Sequence, residues 1–520
     1  MDGDSAEQRS QQVDPKKVTR RSFLAFSSLA AASLLAACAA PAATPTTAPA
    51  APTKAPEAAK PTEAPKPTTA AGAATNTPAP AAAAATNTPA PAAAAATPTL
   101  AAVPTQVPSP TPALAQVTVK PGQIKVDWWT PRGGQVDLQY EQAAVDAFHK
   151  KQDKVVVQIV YVPTTAGTQM SEKLLTSIAA GTPPNTSEFD RFVVSSWAAQ
   201  NALTDISDRA KASGIAAEQF YPFAWEEASF RGKLFAMPQD TDTRGVYYNI
   251  DLLDKAGVKP PTTIAELDAA AAKLTVKDGR QFKQWGYSPI YNQSFHYAVC
   301  LEWAGVGYDK MYDKATNTCT ATAQINVDAF TWIKSYAEKY NIQDMEAFQS
   351  AFGTNTNDPF LTGQIAMYAQ GDWGLANIAK FKPDMKFDIV PMPGKAGAAP
   401  CMAGGWSEVL PKGAKNQDEG WAWISWYGGP EGQLIYNKGT MHIPTNIKAS
   451  QDPAFTADPK HAKFMDFLKI ALNRPAIPAG QILWNELGTA SSNVAHGVQT
   501  PLEALTVVKQ KTDAELKKYP

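Results

Sequence analysis

The side chains of this chain that could do chemistry form no familiar catalytic pattern. The five histidines are scattered, and none stands in the HExxH spacing of a zinc hydrolase. The sequence contains no G-x-S-x-G nucleophile turn and no G-x-x-x-x-G-K-[ST] phosphate loop. We therefore expect a protein that is not an enzyme, with no catalytic residues, no metal and no cofactor.

Aromatic and charged side chains offer a different chemistry, the binding of sugars. All 13 tryptophans lie after residue 123. A sugar presents apolar C–H faces that an aromatic ring can cover, and hydroxyl groups that charged and amide side chains can hydrogen-bond. Many tryptophans without a catalytic motif therefore indicate capture of a carbohydrate.

Alternating strands and helices should position these side chains. Ile124–Trp129 reads as a buried strand, and Gln135–Lys151 reads as an amphipathic helix with apolar residues near one face. A second strand, Val155–Val162, and a second helix that ends at Gly181 follow. This alternation predicts an α/β fold with a mostly parallel sheet. Because ligands of such sheets bind beyond the carboxyl ends of strands, Thr130–Gly134 marks a predicted site.

Length and charge limit the architecture and the partners. About 400 residues follow residue 123, more than one ordinary core holds, so we expect two domains or lobes. The 47 basic and 48 acidic residues of the whole chain nearly cancel. This balance argues against a nucleic-acid partner.

The N-terminus carries the pattern of an export signal. Basic residues precede the uncharged run Phe23–Ala37, which is too short to span a bilayer and is typical of a signal peptide. Thr19–Leu24 resembles the twin-arginine signal, although ordinary signals also contain paired arginines. Leu35–Cys38 resembles a lipobox, so we expect residues 1–37 to be removed and Cys38 to be lipidated. The alternative is a cytosolic protein with an alanine-rich helix.

Residues 38–120 read as a disordered linker. They are nearly all Ala, Pro and Thr, and TNTPAPAAAAA occurs twice in tandem, at 75–85 and 86–96. Such a segment buries too little apolar area to offset the entropy of ordering it, and its prolines favour extended conformations. We expect it to tether an extracytoplasmic globular part to the lipid anchor in the cell membrane.

Three cysteines remain after Cys38, and their state is open. Cys300 and Cys319 could form a disulfide that closes a short loop, worth about 3 kcal/mol if unstrained. Cys401 would then be a free thiol in the core. The alternative is three unpaired core cysteines.

Five stretches resemble the extracellular solute-binding proteins of family 1, which deliver sugars to ABC importers. The resemblance covers the chain from Ile124 onward, and the stretches occur in the family's order. They are Phe220–Pro238, Val246–Leu267, Asp358–Ile378 with its Gly-x-Trp turn, Arg474–Leu487 and Thr500–Leu505.

This resemblance implies a two-lobe periplasmic-binding-protein-like fold with the ligand in the cleft between the lobes. Lobe 1 would comprise residues 121–239 and 397–428, and lobe 2 residues 240–396 and 429–520. It also implies a monomeric subunit that hands a carbohydrate to ABC permease subunits, which work with a separate ATPase.

The resemblance also implies charged site residues. The sequence FDRF matches a segment whose Asp-Arg pair binds sugar hydroxyls, which points to Asp190 and Arg191. Arg132, with Trp129 close by, lies where the loop after the first strand supplies a charged contact. Asp242 matches an acidic contact at the hinge.

Aromatic platforms are expected at four further positions. Trp373, in the Gly-x-Trp turn, and Trp484, near the C-terminus, match stacking tryptophans of the family. Trp303 and Trp406 lie beside glycine-containing turns that should face the cleft.

Two other functions remain open from the sequence. One is an extracytoplasmic carbohydrate-active enzyme, and a hydrolase would need two carboxylates about 5–10 Å apart across the cleft. The other keeps the binding fold but takes a non-sugar ligand, such as a polyol phosphate or a peptide. Clustered Arg or Lys side chains in the cleft would favour the phosphate.

Overall fold

The computed structural model describes residues 114, 116–163, 169–291, 311–353, 355–394, 397 and 402–519. The signal peptide, Cys38, Trp303, Cys300 and Cys401 lie outside these residues, so the predictions made for them stay predictions. Within the described ranges, no helix is long and apolar enough to cross a membrane.

Strands and helices alternate along much of the described chain. The strands are β1 (Ile124–Thr130), β2 (Val155–Tyr161), β3 (Thr186–Asp190), β4 (Ser229–Phe230), β5 (Lys233–Leu234), β6 (Ala236–Pro238), β7 (Asp240–Thr241), β8 (Arg244–Asn249), β9 (Val276–Asp278), β10 (Gln281–Gln284), β11 (Tyr312–Asp313), β12 (Thr318–Cys319), β13 (Met367–Gly371), β14 (Phe387–Pro391), β15 (Met402–Ala403), β16 (Trp406–Val409), β17 (Ile443–Pro444) and β18 (Leu472–Asn473). The helices are α1 (Gln135–Lys151), α2 (Gln169–Ala179), α3 (Val194–Ala199), α4 (Ser207–Ala212), α5 (Pro222–Glu227), α6 (Ile250–Ala256), α7 (Ile264–Leu274), α8 (Gln324–Tyr340), α9 (Ile342–Ser350), α10 (Gly374–Phe381), α11 (Gln417–Tyr427), α12 (Pro430–Thr440), α13 (Ile447–Ser450), α14 (Ala454–Ala457), α15 (Pro459–Leu468), α16 (Gly480–Ala495) and α17 (Pro501–Leu516).

Lobe 1 is built on a sheet with the strand order β2-β1-β3-β16-β6. β1 is parallel to β2 and β3, whereas β16 is antiparallel to both β3 and β6. Side chains of β1 alternate, so that Trp128 is buried in the core and its neighbour Trp129 is half-buried on the other face. The predicted helix α1 is confirmed, and it buries Leu138, Val145 and Phe148 against this sheet.

Lobe 2 is built on the three-stranded sheet β13-β8-β14, in which both pairings are antiparallel. The prediction of a mostly parallel sheet is therefore wrong for this lobe. The physical reason is that β13 returns to β8 after more than one hundred residues, not through a single crossover helix. Cys319 is buried in this core as a free cysteine, which goes against the expected disulfide; its predicted partner, Cys300, lies outside the described residues.

The chain crosses between the two cores at closely spaced segments. β7 pairs with β17, and Asp242 forms a bridge with Gly404. Gly405 has φ +133°, and a Cβ there would overlap the Asp240 carbonyl oxygen and the Arg191 guanidinium. Only glycine therefore fits this crossing without displacing its neighbours.

The boundary of lobe 1 lies later in the chain than predicted. The resemblance implies that residues 429–520 belong to lobe 2, but α12 packs against α1, and Tyr436 belongs to the same core as Trp423. The reason is that α12 follows α11 directly and packs on α1 before the chain crosses at β17. The two-lobe α/β fold itself is confirmed.

Candidate functional site

Three segments meet at one edge of the lobe 1 sheet. β1 and β3 end there and the antiparallel β16 begins there, so that Trp406 pairs with Asp190. The loop after β1 brings Arg132 to the same edge, where its guanidinium carbon lies 5.3 Å from the centre of the Trp406 ring. The predicted residues Arg132, Asp190 and Trp406 are thus neighbours.

Arg132 is buried and paired within the protein. Its Nε lies 2.5 Å from Glu188 Oε1, and its Nη2 lies 2.5 Å from Asp240 Oδ2. It also donates to the hydroxyl of Tyr436, whose ring centre is 4.8 Å from the guanidinium. The sequence predicts that Arg132 contacts a ligand directly. In this arrangement Arg132 instead supports the Trp406 ring by a cation–π contact.

Trp373 lies against an arginine in lobe 2, as Trp406 does in lobe 1. It follows β13 and precedes α10, and its ring folds back over Gly371, where a Cβ would overlap it. The half-buried ring lies 5.5 Å from the guanidinium carbon of Arg244 and 5.4 Å from the ring of His442. The Gly-x-Trp turn therefore sets the ring orientation through the missing Cβ.

Asp242 forms a buried ion pair with Arg244 and accepts a hydrogen bond of 3.1 Å from the N–H of Gly404. Arg244 also donates to the carbonyl oxygen of Met402 at 3.1 Å. The sequence predicted Asp242 as a ligand contact. Asp242 is only 3 % exposed. It therefore links the crossing segment at Gly404 to Arg244, the residue that supports the Trp373 ring.

Trp484 lies on α16 where both cores meet. Its half-buried ring packs against each core, with an edge-to-face contact of 6.0 Å to Phe192. The guanidinium carbon of Arg474 lies 5.5 Å from the Trp484 ring centre. Trp484 therefore has the same kind of support as Trp373 and Trp406.

Asp190 is the most exposed of the predicted charged residues. Its carboxylate accepts two hydrogen bonds from Arg474, of 2.6 and 3.0 Å, and one of 3.1 Å from the N–H of Phe192. The Asp190 side chain is 37 % exposed, whereas that of Arg474 is 4 % exposed. One edge of this carboxylate remains open to solvent.

Arg191 does not take the predicted place beside a ligand. It is fully buried, pairs with Glu227 at 2.9 Å, and donates to the carbonyl oxygens of Gly404 and Asp240. These bonds fix the crossing segments to lobe 1. Arg191 is therefore a structural residue, because its hydrogen-bonding groups point into the protein.

Trp129 is half-buried beside a different cation. The exposed Lys173 places its ammonium nitrogen 4.8 Å from the ring centre. Four predicted tryptophans thus each have a cation against the ring, and at Trp373, Trp406 and Trp484 that cation is a buried arginine with a carboxylate partner.

His442, which no pattern in the sequence predicts as a site residue, is buried between the two cores. Its ring stacks on Tyr436 at 6.1 Å, and its Nδ1 lies 3.2 Å from Asp372 Oδ1. Burial lowers the pKa of His442 most strongly, but the Asp240 carboxylate and the Asp372 hydrogen bond together raise this pKa above 6.5. Nothing in the sequence around His442 reveals these partners, which come from distant segments.

Buried acids surround Arg132 on the lobe 1 side. Burial raises the pKa of Glu188 to about 7, although Arg132 opposes this shift. The pKa values of Glu141 and Glu408 are raised well above their usual range, again chiefly by burial. Trp128 donates a hydrogen bond of 2.8 Å to Glu408. Burial therefore disfavours the charged form of all three carboxyl groups.

Comparison with known proteins agrees with this geometry. Residues 143–463 match the profile of the family described as bacterial extracellular solute-binding protein. A putative binding protein of Brucella abortus is 24 % identical over 306 residues, which cover 55 % of this chain and 69 % of the relative. A probable ABC transporter-binding protein of Deinococcus radiodurans is 25 % identical over 319 residues, covering 58 % and 72 %.

Solved structures share the fold. CpMnBP1, solved with bound mannobiose, superposes with a TM-score of 0.66 at 22 % identity, covering 75 % of this chain and all of the other. The GacH receptor of Streptomyces glaucescens, solved alone and with acarbose, gives a TM-score of 0.65 at 23 % identity, covering 76 % and 99 %.

Proposed function

Because this chain belongs to the family of bacterial extracellular solute-binding proteins, we propose that it captures a di- or oligosaccharide between its two lobes for an ABC importer. Membership of this family places its work outside the cytoplasm. The proposed sugar site comprises the ring surfaces of Trp373, Trp406 and Trp484 together with the open edge of Asp190.

The observation that carries the proposal is the arrangement of these three rings. Trp406 belongs to lobe 1, Trp373 to lobe 2, and Trp484 packs on both cores. Each ring is half-buried and has an arginine on one side, so its orientation is held before any ligand arrives. Preorganised aromatic surfaces suit the C–H faces of pyranose rings.

Related proteins support a sugar as the ligand. The solved relatives bind mannobiose and acarbose, and a relative from Pyrococcus abyssi is a maltotriose-binding protein. A sugar that touches Trp406 and Trp373 together would bind the closed arrangement of the lobes better than an open one. That difference in affinity is what could shift the lobes toward closure.

The same proposal includes the anchor and the partners. Lipidated Cys38 and the linker of residues 38–120 would keep a monomeric binding protein near its permease, while a separate ATPase drives transport. Three or two acyl chains would hold it stably, since one chain gives only marginal membrane binding.

Calorimetry of the full exported chain against a panel of mono-, di- and oligosaccharides tests the function. We expect at least one di- or oligosaccharide to bind, and a complete lack of binding would refute the proposal. Incubation with the bound sugar, followed by an assay for new reducing ends, tests the enzyme alternative. We expect the sugar to remain intact.

A further inference from the structure

The charges around the proposed site indicate which sugars it accepts. We infer that Asp190 makes this site select uncharged oligosaccharides and reject acidic ones, such as oligouronates and sugar phosphates. This inference rests on the proposed function. It assigns the selectivity between uncharged and acidic sugars to one residue, Asp190.

The first step is that the arginines of the site already have carboxylate partners. Arg132 pairs with Glu188 and Asp240, Arg244 with Asp242, and Arg474 with Asp190. Their side chains are all less than 10 % exposed. A ligand carboxylate would therefore meet guanidinium groups that are both covered and neutralised.

The second step is the asymmetry of the Asp190–Arg474 pair. The carboxylate is 37 % exposed and the guanidinium only 4 %. Arg474 is held behind the carboxylate, with its guanidinium carbon 4.4 Å from the Phe192 ring centre and 5.5 Å from that of Trp484. Beside Trp484, the pair therefore turns its carboxylate, and not its guanidinium, toward solvent.

The third step is the energetic consequence for a ligand. Sugar hydroxyls can donate hydrogen bonds to the open oxygen edge of Asp190. A uronate carboxylate has no proton to donate, is repelled by the like charge, and would lose water without gaining a cation in exchange. The same site thus favours the hydroxyl and rejects the acid.

Lys173, beside Trp129, is a cation that could attract an acidic sugar. It is exposed to solvent, and its side chain lies over Trp129 and not over the three rings with arginine support. An exposed ammonium group is screened by water and salt, so it offers an anionic sugar little compensation for lost hydration.

The experiment compares two ligands of equal length, the neutral oligosaccharide that binds best and the oligouronate of the same linkage. We expect the wild-type full chain to bind the neutral ligand at least tenfold more tightly, with the ratio shrinking as salt is added. Equal or tighter binding of the oligouronate would overturn the inference while leaving the proposed function intact. If neither class binds, the proposed function falls and the inference falls with it.

Variants of Asp190 assign the selectivity to this residue. Asp190→Asn removes the negative charge that faces the ligand, so the neutral-to-acidic affinity ratio should fall by at least threefold. Asp190→Glu should keep the wild-type preference. The control is Asp251→Asn, an exposed partner of Lys386 outside the site, which should not change the ratio.

An unchanged ratio in folded Asp190→Asn, checked by circular dichroism, would remove Asp190 from the explanation. If that variant does not fold, the wild-type affinity ratio and the Asp190→Glu variant still test the inference. A loss of preference in Asp190→Glu, where the charge remains, would also contradict the inference.

Discussion

The guanidinium carbon of Arg244 lies 5.5 Å from the centre of the Trp373 ring. Asp242 pairs with this same arginine, and Asp242 also bonds to the backbone of a crossing segment. The ring surface proposed to receive a sugar is therefore connected to the hinge through two charged side chains.

Trp373→Ala should weaken sugar binding by about 1–3 kcal/mol, by analogy with the stacking of bases on aromatic rings. The expected cause is the loss of one ring face, and calorimetry measures it directly. Trp225→Ala is the control, since Trp225 is a half-buried lobe 1 residue that packs on Phe220. Unchanged affinity in folded Trp373→Ala would exclude this tryptophan from the site.

Asp242→Asn should lower the free energy of unfolding by about 3–5 kcal/mol, because it removes the carboxylate that pairs with the buried Arg244. Urea denaturation measures this loss. The exposed pair of Lys386 with Asp251 provides the comparison, where Asp251→Asn should cost no more than about 1 kcal/mol. Equal effects of the two substitutions would show that the Asp242 pair is not structural.

Glu408→Gln should stabilise the protein at pH 8 but not at pH 4. Burial raises the pKa of Glu408 well above its ordinary value of 4.5, so the folded protein holds a proton that the unfolded chain releases. Stability must therefore fall as pH rises above 4.5. Glutamine can still accept the hydrogen bond from Trp128 but has no proton to lose.

Thermal unfolding across this pH range tests the Glu408 prediction. The control is Glu431→Gln, which changes an exposed partner of Lys151 and should have an effect within about 0.5 kcal/mol at every pH. A Glu408→Gln curve parallel to that of the wild type would contradict the prediction.

His442 should titrate above 6.5 in the folded protein, and Asp372→Asn should lower its pKa. Because the folded state holds this proton more tightly, the contribution of His442 to stability is fully present below pH 6.5 and is lost as pH rises through its folded pKa. NMR of the imidazole nitrogens measures both values. A pKa of His442 that does not change in the variant would show that Asp372 does not hold the proton.

Replacing Arg20 and Arg21 together by lysine should block export if the twin-arginine route is used. Cell fractionation with an antibody to the globular part measures this. A single change at Lys16 to Arg is the control and should leave export intact. Normal export of the double variant would instead indicate the route taken by unfolded chains.

The sequence predicted much of the fold because its signals were local. The amphipathic pattern of Gln135–Lys151 and the apolar run of Val155–Val162 each lie within one element. The antiparallel pairing in lobe 2 was missed because it joins strands that are far apart along the chain, and no local pattern records which strands become neighbours.

The sequence predicts which residues lie at the candidate site better than it predicts what each of them does there. Trp373, Trp406 and Trp484 are half-buried, as a binding platform requires, although their part in binding stays a prediction. Arg132 and Arg191 were read as ligand contacts because the sequence shows their charge but not their partners. Glu188, Glu227 and Asp240 neutralise them from other segments, and this neutralisation decides which charges remain for a ligand.

The strand order of lobe 1 has a consequence for the order in which the chain can fold. β16 lies between β3 and β6, and Trp128 bonds to Glu408, 280 residues away. The ribosome must therefore make the first 409 of the 520 residues before this sheet can close. Contacts of such long sequence separation form slowly, so the lobe 1 sheet is completed late in folding.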